Sequence, residues 1–222
     1  MTELLTAALP KGRVLKAVAP LLARVGVDPA SLLADDRSLV RECPSAGLRF
    51  LLLKPDDVPT YVEYGAADLG VCGRDVLLER PSEIYQPLDL GIGRCRMVVA
   101  GAVGRPPPPG VPRVATKYPR IAAEHFARRG VQADVVYLGG SVELAPLVGL
   151  ADLIVDLVET GTTLAQNGLE EREEVARISS VLVVNRAAYK LRNERIRALI
   201  EALRSPPPAA AADRAGREGA GA

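Results

Sequence analysis

Apolar residues fall along this chain in blocks of strand length, each followed by a stretch with helical spacing. Leu4 to Leu9 is a nearly continuous apolar run, and Val14, Leu15, Val18, Leu21, Leu22 and Val25 behind it line one helical face, so the chain opens β-α. Leu48 to Leu53 reads as a strand buried on both faces, Asp56-Asp57 starts a short helix, and Asp68 to Cys72 is a short strand ending before Gly73. Arg94 to Ala100 reads as another strand. Gly104 to Pro112, with five prolines, reads as an exposed connector.

Beyond it, Val111 to Ala115, Asp134 to Leu138 and Leu153 to Val155 are three strands. Helical segments at Pro119 to Gly130 and Val142 to Val148 separate them, which predicts a second, small parallel sheet. Val175 to Val184 reads as one long strand. Arg186 to Arg204 reads as one amphipathic helix with Leu191, Leu199, Ile200 and Leu203 on its apolar side. Both are expected to return to the first unit.

The pattern predicts an α/β fold of two lobes with a cleft between them, the place where parallel strands deliver ligand-binding turns. Lobe I spans 1–92 plus 176–204 and lobe II spans 93–175, while 205–222 has nothing apolar to bury and is expected to be a disordered tail. No fixed-period repeat is present, which excludes solenoids and propellers.

Charge and cysteine content narrow the partners. Lys plus Arg (28) nearly balance Asp plus Glu (27), so no global positive field draws the chain to nucleic acid or to an anionic membrane. Every apolar stretch is interrupted well short of the roughly 20 residues that span a bilayer. The short apolar run from Met1 precedes Lys11 and Arg13, the reverse of an export signal's charge order, and a cytoplasmic location is expected. Cys43, Cys72 and Cys95 are too scattered for a disulfide framework or a zinc site, and Cys72 reads as a core residue. The single histidine, His125, leaves no Ser-His-Asp triad and reads as structural.

The strongest candidate chemistry is Asp156-Leu-Val-Glu159-Thr160-Gly161-Thr162-Thr163, a strand delivering a polar turn into a helix. Glycine lets backbone approach a phosphate, hydroxyls donate to it, and the helix start offers free N–H groups. Asp156 and Glu159 are acceptors suited to ribose hydroxyls or a magnesium shell. The competing reading is that Thr160 or Thr162 simply caps the helix. Lys11-Gly12-Arg13 sits at the turn after the first strand, where cations at a helix start are unfavourable without an anion nearby. Arg37 and Lys54 are further candidates for a cationic wall in the same lobe, the alternative for each being an ordinary surface charge. Ser141 and Glu143, after Gly139-Gly140, form a second candidate anion or base-edge site, with Ser141 as a plain N-cap the alternative. Asp68-Leu69-Gly70 and Gly73-Arg74-Asp75 read as turn chemistry.

Taken together, Ala8-Leu-Pro-Lys-Gly-Arg13, Gly65-Ala-Ala-Asp-Leu-Gly-Val-Cys-Gly73, Ala115-Thr-Lys-Tyr-Pro119, Gly140-Ser-Val-Glu-Leu-Ala-Pro146 and Asp156 to Thr163 resemble the ATP phosphoribosyltransferase family in its short form. The resemblance runs from about Leu4 to Leu203. It implies a two-lobed fold like a type II periplasmic binding protein. It also implies a Mg2+-dependent reaction of histidine biosynthesis, in which N1 of ATP displaces pyrophosphate from C1 of phosphoribosyl pyrophosphate (PRPP). By that resemblance Glu159 to Thr163 hold the 5-phosphate, Asp156 and Glu159 face the ribose, Arg13 and Arg37 meet the departing pyrophosphate, and Lys11 and Lys54 line the same cleft. No regulatory domain follows Arg204, so the resemblance implies a separate histidyl-tRNA-synthetase-like subunit in a hetero-octamer. Two other readings fit the residues: a phosphoribosyltransferase acting on a free base, and a two-lobed anion-binding protein without catalysis.

Overall fold

The computed structural model describes residues 3–106 and 109–204. Pro107 and Pro108 of the connector, and the 205–222 segment expected to be a tail, lie outside the described residues. The N-terminal part runs β1 (Leu5–Pro10), α1 (Arg13–Leu22), α2 (Pro29–Leu32), β2 (Val40–Cys43), β3 (Leu48–Leu53), α3 (Val58–Glu63), β4 (Leu69–Gly73), α4 (Arg74–Glu79) and β5 (Tyr85–Asp89). The middle runs β6 (Cys95–Ala102), β7 (Arg113–Thr116), α5 (Pro119–Arg128), β8 (Asp134–Tyr137), α6 (Leu144–Leu147), β9 (Leu153–Val158), α7 (Thr162–Gln166) and β10 (Leu169–Ile178). The chain closes with β11 (Ser180–Val184), α8 (Arg186–Leu191) and α9 (Asn193–Arg204).

These strands form two sheets. The first is six-stranded in the order β2-β3-β1-β4-β11-β5, with β3, β1 and β4 parallel. β1 reads as a continuous apolar run because both its faces are covered. Leu5, Ala7 and Leu9 pack with Leu15 and Val18 of α1 and Ile196 and Ile200 of α9, while Ala8 packs with Val58 and Val62 of α3. Gly70 belongs to β4 and not to a turn. A Cβ there would sit 2.9 Å from both the Ala8 carbonyl and Val62, so the missing side chain is what lets α3 lie close on the sheet. Cys72 is fully buried beside it, and burial first, then the nearby Asp75 carboxyl, pushes its thiol up to about 12. It is a core residue, as its sequence context suggests.

The second sheet is five-stranded in the order β10-β6-β9-β7-β8. The expected parallel strands β9, β7 and β8 form one half, and β6 and β10 add to them in antiparallel fashion, so the sheet is mixed. One face packs Ala122 and Phe126 of α5, and the other packs Ala145 of α6 and Leu164 of α7.

Two further expectations are corrected. Val175 to Val184 is not one strand: Ile178 pairs with Cys95 in the second sheet and Ser180 with Gly73 in the first, with Ser179 between them. The chain changes sheets there. The helix expected over Arg186 to Arg204 breaks at Arg192, whose guanidinium is drawn to Asp68 at 2.8 Å and Glu3 at 2.7 Å. Leu191, expected on the apolar side, is consequently 85% exposed, while Ile196 takes its place in the core.

The other passage between sheets, from Asp89 to Cys95, is fastened to Ser179. Asp89 accepts hydrogen bonds from Ser179 Oγ at 2.7 Å, the Gly91 amide at 2.9 Å and Arg74 at 3.2 Å. Partial burial pushes its carboxyl up, but these donors and the nearby arginines together hold it below the usual range.

Candidate functional site

β9 carries the loop to its place. Leu153, Ile154 and Val155 are buried between β6 and β7, and the strand then delivers Asp156, half-buried at its carboxyl end. After the buried Val158 the chain leaves the sheet through Glu159 and Thr160, both exposed. Gly161, at φ 80°, makes the turn into α7 in a conformation that strains any other residue. A Cβ there would also come within 3.3 Å of Glu171 Oε1, a carboxylate already paired with Arg96 at 2.6 Å.

The geometry bears on the helix-cap alternative. Gly161 occupies the N-cap position of α7, and no side chain caps the helix. Thr160 Oγ1 lies 3.5 Å from the Thr162 amide, too far for a strong cap, and 3.0 Å from the Thr162 hydroxyl. The hydroxyls therefore gather at one mouth and leave the first helical turn open.

That mouth is a cavity of about 240 Å³ whose wall takes Asp156, Glu159, Thr160, Gly161, Thr162 and Thr163 together with Glu143 and Arg13. Arg13 starts α1 in the first sheet's layer and forms an ion pair with Glu159, 146 positions away. Asp156 accepts from the Leu157 amide at 2.7 Å. Burial pushes its carboxyl up, the Leu157 amide pulls it down, and the neighbouring Glu143 carboxylate pushes it up again. Three carboxylates, Asp156, Glu159 and Glu143, line the cavity beside Arg13, which suits a substrate bringing hydroxyl donors or a cation.

The remaining candidates stand outside that wall. Lys11 is exposed and spends its backbone amide on the Leu53 carbonyl at 2.8 Å, and Gly12 turns at φ 87° to start α1. Lys54 is exposed at the head of a 3-10 turn over Pro55–Asp57, and Arg37 is exposed in the loop before β2. Ser141 does not cap α6, whose N-cap position is Glu143. It sits exposed in the left-handed region at φ 47°, which is unusual for a residue with a side chain.

Several residues at the site carry no mark in the sequence. Cys95 lines this cavity and also a neighbouring one of about 700 Å³ shared with Glu159, Arg74, Arg94, Arg96 and Arg177. Burial, then Asp75, raises its thiol, so it is not poised as a nucleophile. Only strand pairing could have found it, because the next residue, Arg96, sits opposite Val158. A further set joins the two sheets' layers. Tyr118 donates to Asp75 at 2.9 Å, Lys117 pairs with Asp56 at 2.8 Å, and the Glu79 carboxylate accepts from the Arg120 and Ile121 amides at 2.9 and 3.0 Å. Among the described residues, no group of three or more His, Cys, Asp or Glu is arranged to hold a metal, and no helix is long and apolar enough to cross a membrane.

Comparison with known proteins gives this geometry a context. Residues 54–205 match the family model HisG: ATP phosphoribosyltransferase. An ATP phosphoribosyltransferase of Sorangium cellulosum (strain So ce56) is 60% identical over 205 residues, covering 92% of this chain and 97% of the relative. Another, from Anaeromyxobacter sp. (strain K), is 54% identical over 215 residues, 96% of this chain and 97% of the relative. Among solved structures, the ATP phosphoribosyl transferase (HisG:HisZ) complex from Thermotoga maritima matches with a TM-score of 0.79 at 40% identity. That match covers 90% of this chain and 96% of the other.

Proposed function

The chain belongs to the ATP phosphoribosyltransferase family, and from that premise we propose how its residues share the reaction. The fold is that of type II periplasmic binding proteins, and the enzyme joins N1 of ATP to C1 of PRPP, releasing pyrophosphate, in histidine biosynthesis. In our reading the two sheets mark two lobes, 1–92 plus 176–204 and 93–175, and the Glu159 to Thr163 loop receives the 5-phosphate of PRPP. Asp156 and Glu159 hold the ribose hydroxyls. Arg13 and Arg37 meet the charge that gathers on departing pyrophosphate, with Lys11, Gly12 and Lys54 around it, and Ser141 and Glu143 flank the nucleotide. The observation carrying this is that the acids, the hydroxyl loop and Arg13 line one cavity.

The chemistry suits these groups. A glycosyl centre losing pyrophosphate becomes oxocarbenium-like, so an ionised Asp156 or Glu159 beside the ribose stabilises developing positive charge. A ring nitrogen attacks with its own lone pair, so no strong general base is needed. Arg13 would have to exchange its Glu159 partner for the leaving group, which couples substrate entry to that contact.

The family's reaction requires a divalent metal, and we propose Mg2+. The described residues offer no protein cage, which fits an ion carried mainly by substrate phosphates, with Asp156, Glu159 and Glu143 as nearby carboxylates. When bound it would neutralise pyrophosphate charge. The cytoplasm is the proposed location. The Thermotoga maritima structure is a complex with HisZ. A histidyl-tRNA-synthetase-like regulatory subunit in a hetero-octamer is accordingly the proposed partner here, and native mass measurement with and without it tests this.

Arg13→Ala and Arg37→Ala should each lower the rate of pyrophosphate release by tenfold or more while weakening ATP binding less than threefold. Unchanged turnover in both would remove their assignment.

A further inference from the structure

The contact between Tyr118 and Asp75 is a deeply buried polar link between the two sheets' layers, and it leads to the proposed ribose site. Tyr118 is 5% exposed and Asp75 8% exposed, and the Tyr118 hydroxyl donates to Asp75 Oδ2 at 2.9 Å. Asp75 lies in the first turn of α4, packed against the first sheet, and Tyr118 lies at the head of α5, packed against the second.

From Tyr118 the chain of bonds continues inward. The Tyr118 amide donates to Thr116 Oγ1 at 2.8 Å, and that hydroxyl donates to the Val155 carbonyl at 2.6 Å. Thr116 is fully buried, so its hydroxyl is committed as both acceptor and donor. Val155 immediately precedes Asp156, the acid in the carboxyl-terminal half of β9. A buried, fully satisfied relay thus runs from the first sheet's α4 to the backbone that presents the ribose-facing acid.

We propose that Asp75 and Tyr118 are positioning residues of the transfer reaction: their bond sets the height of Asp156, and with it the sugar, relative to the groups on the first sheet's layer. The proposal rests on the reading of Asp156 given above. Such a relay matters because the two substrates must meet with C1 and N1 in line, and a displacement of about 1 Å can cost on the order of a hundredfold in rate. PRPP binding itself draws on β9 and its loop. Losing the relay should therefore spare affinity and lower turnover. Burial pushes the Asp75 carboxyl up while the Tyr118 hydroxyl pulls it back, as expected for a pair that excludes water.

The test is a set of variants in the full chain, followed by pyrophosphate release and by calorimetric titration with PRPP. Tyr118→Phe keeps the ring and removes the donor. It should lower kcat tenfold to a hundredfold and leave the PRPP Kd within twofold. Asp75→Ala should match it, and the double variant should be no worse than either alone. Asp75→Asn leaves an amide oxygen that can accept from the Tyr118 hydroxyl and should keep kcat within threefold of the parent. Amide exchange at Val155 to Leu157 should quicken tenfold or more in Tyr118→Phe and stay near the parent rate in Asp75→Asn, a readout available even where turnover is low. An unchanged kcat, a parallel loss of PRPP affinity, or unaltered exchange would overturn the proposal. Asp156→Asn, titrated alongside, separates the two readings: if PRPP affinity survives that change the ribose assignment falls, whereas the Tyr118 proposal is decided by kcat and exchange.

Discussion

Among the described residues, two contacts between the sheets' layers are built from opposite materials. Tyr118 to Asp75 is buried, neutral on one partner and backed by the Thr116 relay, while Arg13 to Glu159 is an ion pair with side chains 68% and 51% exposed. A buried hydrogen bond in a dry setting is costly to break, and an exposed ion pair contributes little to stability. The first contact is therefore suited to hold a fixed geometry. The second is suited to be opened by a ligand, because water and substrate oxygens can replace either partner at small cost. The molecule keeps its rigid connection apart from the groups that must exchange partners.

The largest expected effect falls on the acid to which the buried relay leads. Asp156→Ala should lower turnover by about 10²–10³-fold, the usual consequence of removing one preorganised electrostatic partner, while circular dichroism shows an unchanged fold. A smaller effect sharpens the contrast itself. Tyr118→Ala, which empties a buried aromatic site, should cost about 3–5 kcal/mol of stability in urea unfolding, whereas Arg13→Ala should stay within about 0.5 kcal/mol of the parent, as exposed substitutions do. Equal losses would erase the distinction.

Gly70→Ala comes next. The added methyl meets the Ala8 carbonyl and Val62 at 2.9 Å, so β4 and α3 must part and stability should fall by about 1–3 kcal/mol in the same assay. The smallest effect lies outside both contacts. His125 is 5% exposed, with Nε2 3.1 Å from Glu173 and Nδ1 3.3 Å from Arg129. Burial first, then Arg129 and Arg128, hold its pKa below the ordinary 6.5. Because the folded value is depressed, the contribution of neutral His125 is full above pH 6.5, declines as the pH falls below it, and is lost below the folded value. Thermal melting between pH 7.5 and 5 should show that decline, and His125→Gln should flatten it.

Much of this was legible in the sequence, for physical reasons that also explain the gaps. β1 and β3 announce themselves because strands covered on both faces must be apolar throughout. The Glu159 to Thr163 loop is legible because glycine between hydroxyls, directly after a buried strand, has few other uses. Edge strands leave weaker traces: β2 and β5 escaped notice, and most of β10 is masked by Glu170, Glu171, Arg172, Glu173 and Glu174. The break between α8 and α9 is silent because no proline or glycine marks it, and its anchor, Asp68, lies 124 positions away. Pairings such as Arg13 with Glu159, or Tyr118 with Asp75, join ordinary residues that only the folded chain brings together. The proposed placement of Lys11, Arg37 and Lys54 rests on resemblance and that of Ser141 on its position after Gly139-Gly140, since none of them lines the cavity.

The central claim is that the hydroxyl loop grips the 5-phosphate of PRPP. Calorimetric titration of PRPP into the Thr160→Val, Thr162→Val double variant tests it most directly, since both changes keep shape and remove only hydroxyls. The account predicts PRPP binding at least tenfold weaker with ATP binding unchanged; a PRPP affinity equal to that of the parent would contradict it.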